Sequence, residues 1–374
     1  MRIGITCYPT YGGSGVVATE LGKKLAQIGH EIHFISYALP YRLNRFQSNL
    51  FFHEVEVLKY PLFEYPPYSL SLASKMVEVV EASGLDILHV HYAIPHATSA
   101  FLAREMADQK KLKYITTLHG TDITLLGSDP SYFKIVKFSI EQSDGVTAVS
   151  DYLKRETQDT FQIKNKIKVI PNFIPDDFIT AKPSKELRDC CADKDEFILT
   201  HISNFRPLKR ISDLIYIINR LPKKLKIKLL MVGDGPDRFQ AEKLCKELDL
   251  CDKVVFMGKQ ENVSEILVVT DLFLLPSENE SFGLAVLEAL ACGVPCITSN
   301  AGGLPEVNID GETGFTVKVG DIDTFAGRIE QLIDDTDLHK KFSMNARTIS
   351  RDRFSSDKVM PSYLEYYEEV ISRR

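Results

Sequence analysis

The chain has 374 residues, enough for two domains with a sizeable core each, and its 44% hydrophobic and 26% charged residues are ordinary for a globular protein. A net charge of −6 and an isoelectric point near 5.9 argue against a general nucleic-acid binder, so any anion site must be built locally. The seven cysteines are scattered and form no Cys-x-x-Cys pair, which points away from a disulfide framework; with no leader-like start and no apolar run of 18, a soluble cytoplasmic protein is expected.

The first element is the apolar run IGITC (3–7), read as a strand. It feeds "YPTYGGSGVVATELGKKL" (8–25), a glycine-serine loop opening a helix near 15–28. Gly13-Ser14-Gly15-Val16-Val17-Ala18 fits G-x-G-x-x-G/A, a turn that lets backbone N–H groups approach a phosphate at a helix N-terminus. The second strand, EIHFIS (31–36), runs into Tyr37-Ala38-Leu39-Pro40 without the ribose-binding carboxylate of a dinucleotide site. Gly22-Lys23 is followed by Lys24, so the loop is no Walker A motif. Anion binding and a plain tight turn both stay open.

FFHEVEV (51–57) alternates where the other strands are solidly apolar, which suits a sheet edge. DILHV, YITTL, GVTAV and KIKVI follow as strands, with helices near 69–82, 96–108, 131–142 and 151–160. A proline-rich, aperiodic stretch around 171–185 marks a boundary. Beyond it come FILTHIS, KIKLLMVG, KVVFMG, DLFLLP, PCITS and GFTVKV, separated by helices near 210–220, 236–248, 262–269, 282–292 and 321–335. The alternation predicts an α/β protein of right-handed βαβ units. Two Rossmann-like domains, 1–172 and 173–354, are expected to turn the ends of their parallel sheets toward a cleft. The tail, 355–374, reads as a helix packing back on the first domain.

Histidines cluster in "HVHYAIPH", where His89 and His91 point the same way on a strand and His96 follows. A metal site would need a third ligand that the spacing does not place, so structural or substrate-contacting roles are favoured. His119, in "TTLHGTDIT", ends an apolar strand at a position suited to a ligand, with a buried core histidine as the alternative. The basic stretch "KKLKIKLL" (223–230) reads as a solvated strand entrance. In "PSENESFGLAVLEALACGVPCITSNAGGLPEV" (276–307), Glu280 falls in the loop after DLFLLP and Glu288 about two turns into a helix beginning near Phe282. Gly283 allows close backbone approach, and the N–H groups of Ser281 to Leu284 face a ligand. Carboxylates beside such an N-terminus suit a polyhydroxylated molecule; for either acid alone, an ordinary helix residue at Glu288 and a solvated loop acid at Glu280 are the preferred readings.

This segment resembles the E-x7-E signature of the retaining family 4 glycosyltransferases, which have the two-domain GT-B architecture. The glycine loop, "SNFRPLKR" (203–210), "VGDGP" (232–236), "VIPNFI" (169–174) and "ACGVPCI" (291–297) agree with it. The resemblance implies that Glu280 contacts the donor sugar, Glu288 the ribose of the nucleotide and Lys209 the diphosphate. The family's diphosphate arginine falls on Asn204, with Arg206 the nearest guanidinium. Gly13 and Gly15 would lie against the diphosphate, and Ser281, Phe282, Gly283 and Leu284 would complete the donor site. A histidine at the place of His119 lies close to the donor sugar in that family, so His119 and Glu280 are the catalytic candidates.

"ITCYPTYGGSG", "ALPYRLN", "EYPPYSL", "HVHYAIPHATSA" and "TTLHGTDITLLGSDPSY" resemble, more narrowly, the members that transfer N-acetylglucosamine from UDP-GlcNAc to the hydroxyl of L-malate at the start of bacillithiol synthesis. That resemblance implies retention of configuration, no cofactor and no metal. A malate dianion needs cations and hydroxyls, and Ser14, Arg42, Tyr92, Thr121 and Lys134 are the acceptor-binding candidates. The expected partners are these two substrates, with no nucleic acid and no stable membrane association, and self-association is left open. Another acceptor (inositol phosphate, lipid or glycan) and a non-catalytic or epimerase-type UDP-sugar-binding protein are the rival readings.

Overall fold

The computed structural model describes every residue except 11, 44–45, 58–60, 63, 108–111, 126, 128 and 374, and of Leu125 the backbone alone. The end of the helix expected near 96–108, and parts of "ALPYRLN" and "TTLHGTDITLLGSDPSY", fall outside the described residues. The chain divides into one unit of Met1–Phe173 with Ser356–Arg374, and a second of Ile174–Ser355.

The first unit runs β1 (Arg2–Thr6), α1 (Gly13–Gln27), β2 (Glu31–Ser36), β3 (Leu50–Glu54), α2 (Tyr68–Ser83), β4 (Ile87–His91), α3 (Thr98–Met106), β5 (Lys113–Leu118), α4 (Pro130–Gln142), β6 (Gly145–Ala148), α5 (Asp151–Phe161) and β7 (Ile167–Val169). All seven strands are parallel, in the order β3-β2-β1-β4-β5-β6-β7, so the alternating strand does lie at an edge. Ile3 and Ile5 send their side chains to one face, among Leu21, Leu25, Tyr363 and Tyr367. Leu88 and Val90 of β4 face the other way, against Leu72, Met76 and Ala100. This is the period-two alternation of a sheet covered on both sides.

The second unit comprises α6 (Asp176–Thr180), α7 (Lys185–Cys191), β8 (Phe197–Ser203), α8 (Ile211–Arg220), β9 (Ile227–Gly233), α9 (Arg238–Glu247), β10 (Val254–Gly258), α10 (Val263–Leu267), β11 (Leu272–Leu275), α11 (Leu284–Ala291), β12 (Cys296–Ser299), α12 (Leu304–Val307), β13 (Gly314–Val317), α13 (Ile322–Asp334) and α14 (Thr336–Phe354). Its parallel sheet has the order β10-β9-β8-β11-β12-β13. The core joins Leu199, Leu229 and Leu274 to Ile211, Leu214 and Ile218 of α8 and Phe325 and Ile329 of α13. Ile174 and Ser355, the first and last residues of this unit, form a parallel bridge, and the Ile174 N–H donates to the Phe354 carbonyl at 2.9 Å.

The last helix, α15 (Ser356–Ser372), belongs to the first unit and buries Tyr363, Tyr366, Tyr367 and Val370. Tyr366 places its hydroxyl 2.9 Å from the Val146 N–H and 3.2 Å from the Val146 carbonyl of β6. Three expectations need correction. The stretch around 171–185 is not wholly irregular, because Asp176–Thr180 coils into α6 over a buried Phe178. The nineteen-residue α14 has no counterpart among the predicted helices. Finally, α11 begins at Leu284 and not near Phe282, which puts Glu288 little more than one turn into it.

Candidate active site

In both sheets the chain order reverses beside the first strand, between β1 and β4 in one unit and between β8 and β11 in the other. In open α/β sheets, ligands bind at such switch points, beyond the carboxyl ends of the strands. The loops leaving these four strands carry most of the candidate residues.

In the first unit, Gly12 caps α1 without any side-chain acceptor, so the first-turn N–H groups are uncapped by side chains. Gly15 is buried, and a Cβ there would stand 2.5 Å from the Tyr8 carbonyl oxygen and 2.8 Å from that of Thr10. Close packing of the turn therefore accounts for Gly15, while Gly12 and Gly13 are exposed. Ser14 Oγ and Tyr92 OH share a hydrogen bond of 2.8 Å. Tyr92 directly follows β4 with φ of 88°, a left-handed value that is strained for an aromatic residue. Its ring lies 5.3 Å from that of His119, just past the end of β5. Ser14, Tyr92 and His119 are thus brought together, with Thr121 two residues beyond, half-buried in a turn over Thr121–Leu125.

Asp122 holds this arrangement. Its buried carboxylate accepts the N–H of Ala93 at 2.9 Å on one side and those of Gly120 at 3.0 Å and His119 at 3.4 Å on the other. It ties the chain after β4 to the chain after β5, the two segments that carry Tyr92 and His119. Burial raises its pKa, and the backbone N–H groups pull the other way. Nothing in the sequence singled out Asp122, because its partners are backbone groups brought near only by the sheet.

The histidines form a stack. The rings of His89 and His91 lie 4.6 Å apart and those of His91 and His119 5.0 Å apart. His89 is a satisfied core residue, with Nδ1 2.7 Å from Tyr367 OH and Nε2 2.6 Å from Thr117 Oγ1. His91 Nδ1 meets His119 Nε2 at 2.8 Å. Burial pushes His89 and His119 down to about 3 and His96 to about 4, and His91 lies well below the ordinary value, so all four are neutral near pH 7. Among the described residues no three His, Cys, Asp or Glu side chains converge on a point that would hold a metal. Arg42 sits half-buried in the loop after β2, its guanidinium 5.7 Å from the Tyr41 ring centre, and Lys134 stands exposed on α4.

In the second unit, the chain leaves β8 through Arg206, which is exposed, into a single 3-10 turn, Pro207–Lys209. Lys209 Nζ makes a short, charge-assisted contact with Glu280 Oε1, to which Ser277 Oγ also donates at 3.0 Å. The two charged side chains are only 16% and 14% exposed, so Glu280 is not the solvated loop acid of an ordinary surface. Backbone bonds lock the loop: the Glu278 N–H donates to the Leu208 carbonyl and the Gly303 N–H to that of Glu280, both at 2.7 Å. Gly283 caps α11 at φ of 94°, where any side chain would be strained, and a Cβ there would lie 2.6 Å from Leu304 Cδ2, which would have to shift. Half-buried Ser281 and Leu284 flank buried Phe282 and Gly283 at this uncapped helix start, and Glu288 is buried one turn inside. The unit thus presents a lysine-carboxylate pair, a nearby exposed arginine and a helix N-terminus at one end of one sheet.

Comparison with known proteins bears on the family and the fold. The model of Glycosyltransferase Family 4 matches residues 11–178, and that of Glycosyl transferases group 1 matches residues 186–349. The N-acetyl-alpha-D-glucosaminyl L-malate synthase of Bacillus anthracis is 49% identical over 372 residues, spanning 99% of this chain and 97% of that one. Among solved structures, Anabaena Alr3699/HepE in complex with UDP and glucose superposes with a TM-score of 0.83 at 21% identity, covering 98% of this chain and 99% of that one. A glycosyltransferase from Rickettsia africae gives 0.81 at 23% identity, covering 100% and 99%. The chain belongs to the family 4 glycosyltransferases and has their GT-B fold.

Proposed function

We propose that this glycosyltransferase transfers N-acetylglucosamine from UDP-N-acetylglucosamine to the hydroxyl of L-malate, with retention, as the first step of bacillithiol synthesis. The observation that carries the reading is the 49% identity, along nearly the whole of both chains, to a protein named for that product. Lys209 and Arg206 are the groups suited to a diphosphate, Glu288 to ribose hydroxyls, and Glu280 with the α11 N-terminus to sugar hydroxyls. Ser14, Tyr92 and Thr121 offer hydroxyls to the malate carboxylates, with Arg42 and Lys134 as the candidate cations.

In the proposed step, the bond from the anomeric carbon to the β-phosphate oxygen breaks as the malate oxygen bonds to the same face. The departing phosphate takes the hydroxyl proton, leaving UDP and N-acetylglucosaminyl malate. The protein then contributes orientation and charge stabilisation, greatest where charge grows on the leaving diphosphate. Glu280 is already engaged by Lys209 and Ser277, which suits it better to binding than to nucleophilic attack. No metal and no cofactor take part in this scheme, and we assign the enzyme to the cytoplasm, without stable membrane association. Among the described residues no helix is long and apolar enough to cross a membrane.

The test is release of UDP from UDP-N-acetylglucosamine with and without L-malate, with the product identified by mass. Strict dependence on malate, unaffected by EDTA, is expected. Release with another acceptor only, or none with any, would replace this reading with one of its rivals. A marked loss in EDTA would bring a metal into the reaction.

A further inference from the structure

The histidine stack, buried at His89 and His91 and half-buried at His119, holds a proton whose position can be deduced. His91 Nδ1 and His119 Nε2 lie 2.8 Å apart, so one nitrogen carries the hydrogen and the other a lone pair. Both rings are neutral, because burial beside other imidazoles disfavours the charged form. Two arrangements satisfy the contact. If His119 donates, His91 must carry its own proton on Nε2. That atom is buried and has no hydrogen-bond partner among the described residues, so an N–H would be orphaned there. If His91 donates from Nδ1, its Nε2 holds only a lone pair. Orphaned buried N–H groups are rarer than under-satisfied acceptors, so the second arrangement wins.

His96 obeys the same rule next door. Its Nδ1 meets the His91 carbonyl, which can only accept, so the His96 proton is on Nδ1 and its unpartnered, buried Nε2 is again a lone pair. The same bond pins the backbone of His91, so the donor ring is held at both its main chain and its side chain.

We infer that His91 is a positioning residue that fixes His119 as the Nδ1–H tautomer, leaving it able to donate a hydrogen bond to a ligand and unable to accept a proton from one. The only lone pair on the His119 ring is taken by His91, and among the described residues its Nδ1 makes no hydrogen bond. A donor there suits a sugar or carboxylate oxygen, and it removes His119 from candidacy as a general base. The consequence for turnover rests on the function proposed above; the tautomer itself does not.

The test uses the full chain with nitrogen-15 in its histidines, His119 being assigned by comparison with His119→Gln. Ring nitrogen shifts and couplings should show a protonated Nδ1 and an unprotonated Nε2 at His119 in the wild type. A protonated Nε2 there would overturn the inference, with no variant required. His91→Phe keeps a ring in the stack and removes the donor. It should release His119 to a mixture of tautomers and lower kcat tenfold or more, with UDP affinity unchanged. Full turnover alongside a shifted tautomer would refute the positioning role. Absence of malate-dependent UDP release in the wild type would instead count against the proposed function and leave the tautomer result standing.

Discussion

Lys209 has two tasks that substitution can separate. It is the candidate cation for the leaving diphosphate, and it also neutralises Glu280, which accepts from the hydroxyl of Ser277 as well. Lys209→Met should lower kcat about 100-fold, the scale for losing a group that stabilises transition-state charge. It should also destabilise the fold, because a largely buried carboxylate loses its counter-ion. Adding Glu280→Gln should restore stability by about 1–3 kcal/mol in urea titrations without restoring turnover. Equal stability of single and double variants would mean that the pair is merely a surface contact. For the acceptor, Tyr92→Phe removes a hydroxyl held by Ser14. It should raise the malate KM ten- to a hundredfold, equivalent to about 1–3 kcal/mol, and leave the UDP-N-acetylglucosamine KM nearly unchanged. Equal losses for both substrates would move the acceptor elsewhere. At this scale the placement of Tyr92 and His119 just past neighbouring strand ends was readable, and the structure sets their rings 5.3 Å apart. The sequence was silent on Asp122, whose work is done through three backbone N–H groups.

Among the elements, α15 shows how a late segment completes an early sheet. Tyr366 answers both the N–H and the carbonyl of Val146 in β6, and Tyr367 answers His89 in β4. Tyr366→Phe leaves a buried backbone pair short of its partner and should cost about 1–3 kcal/mol in urea unfolding, with UDP affinity intact. A loss below about 0.5 kcal/mol would mean that water replaces the hydroxyl. The strands and most helices were legible because their apolar periods are strong. The edge position of β3 followed from its alternation alone. Helix α14 was hidden for a specific reason. Its buried stripe is Phe342, Ala346, Ser350 and Phe354, so two of its four contact residues are small and one is polar. An apolar-period search passes over such a face, although Asp335, which caps the helix by accepting the Leu338 N–H, was a readable start signal.

For the whole molecule, the neutral histidines make stability depend on pH. Their folded-state values lie below the ordinary 6.5, so the unfolded chain binds protons first as pH falls. The stabilisation is complete above about 6.5 and is lost as pH drops toward the folded values of about 3 to 4, at up to ~1.4 kcal/mol per pH unit for each group. His89, His91, His96 and His119 all lie in the first unit, and His201, pushed down by burial to about 4, lies in the second. Hydrogen exchange at pH 7.5 and 5.5 should therefore show the first unit losing more protection. Equal losses would mean that the stack is not closed to water. The bridge between Ile174 and Ser355 carries a different consequence. It makes the second unit an insertion whose entry and exit are fastened side by side, so that residues 174–355 form a cassette with adjacent ends. Expressed alone, the cassette should fold and bind UDP, whereas residues 1–173 alone would lack the tyrosines of α15. Exchanged for its counterpart from another family member, it should carry donor preference with it and leave Ser14, Tyr92 and Thr121 on their own sheet.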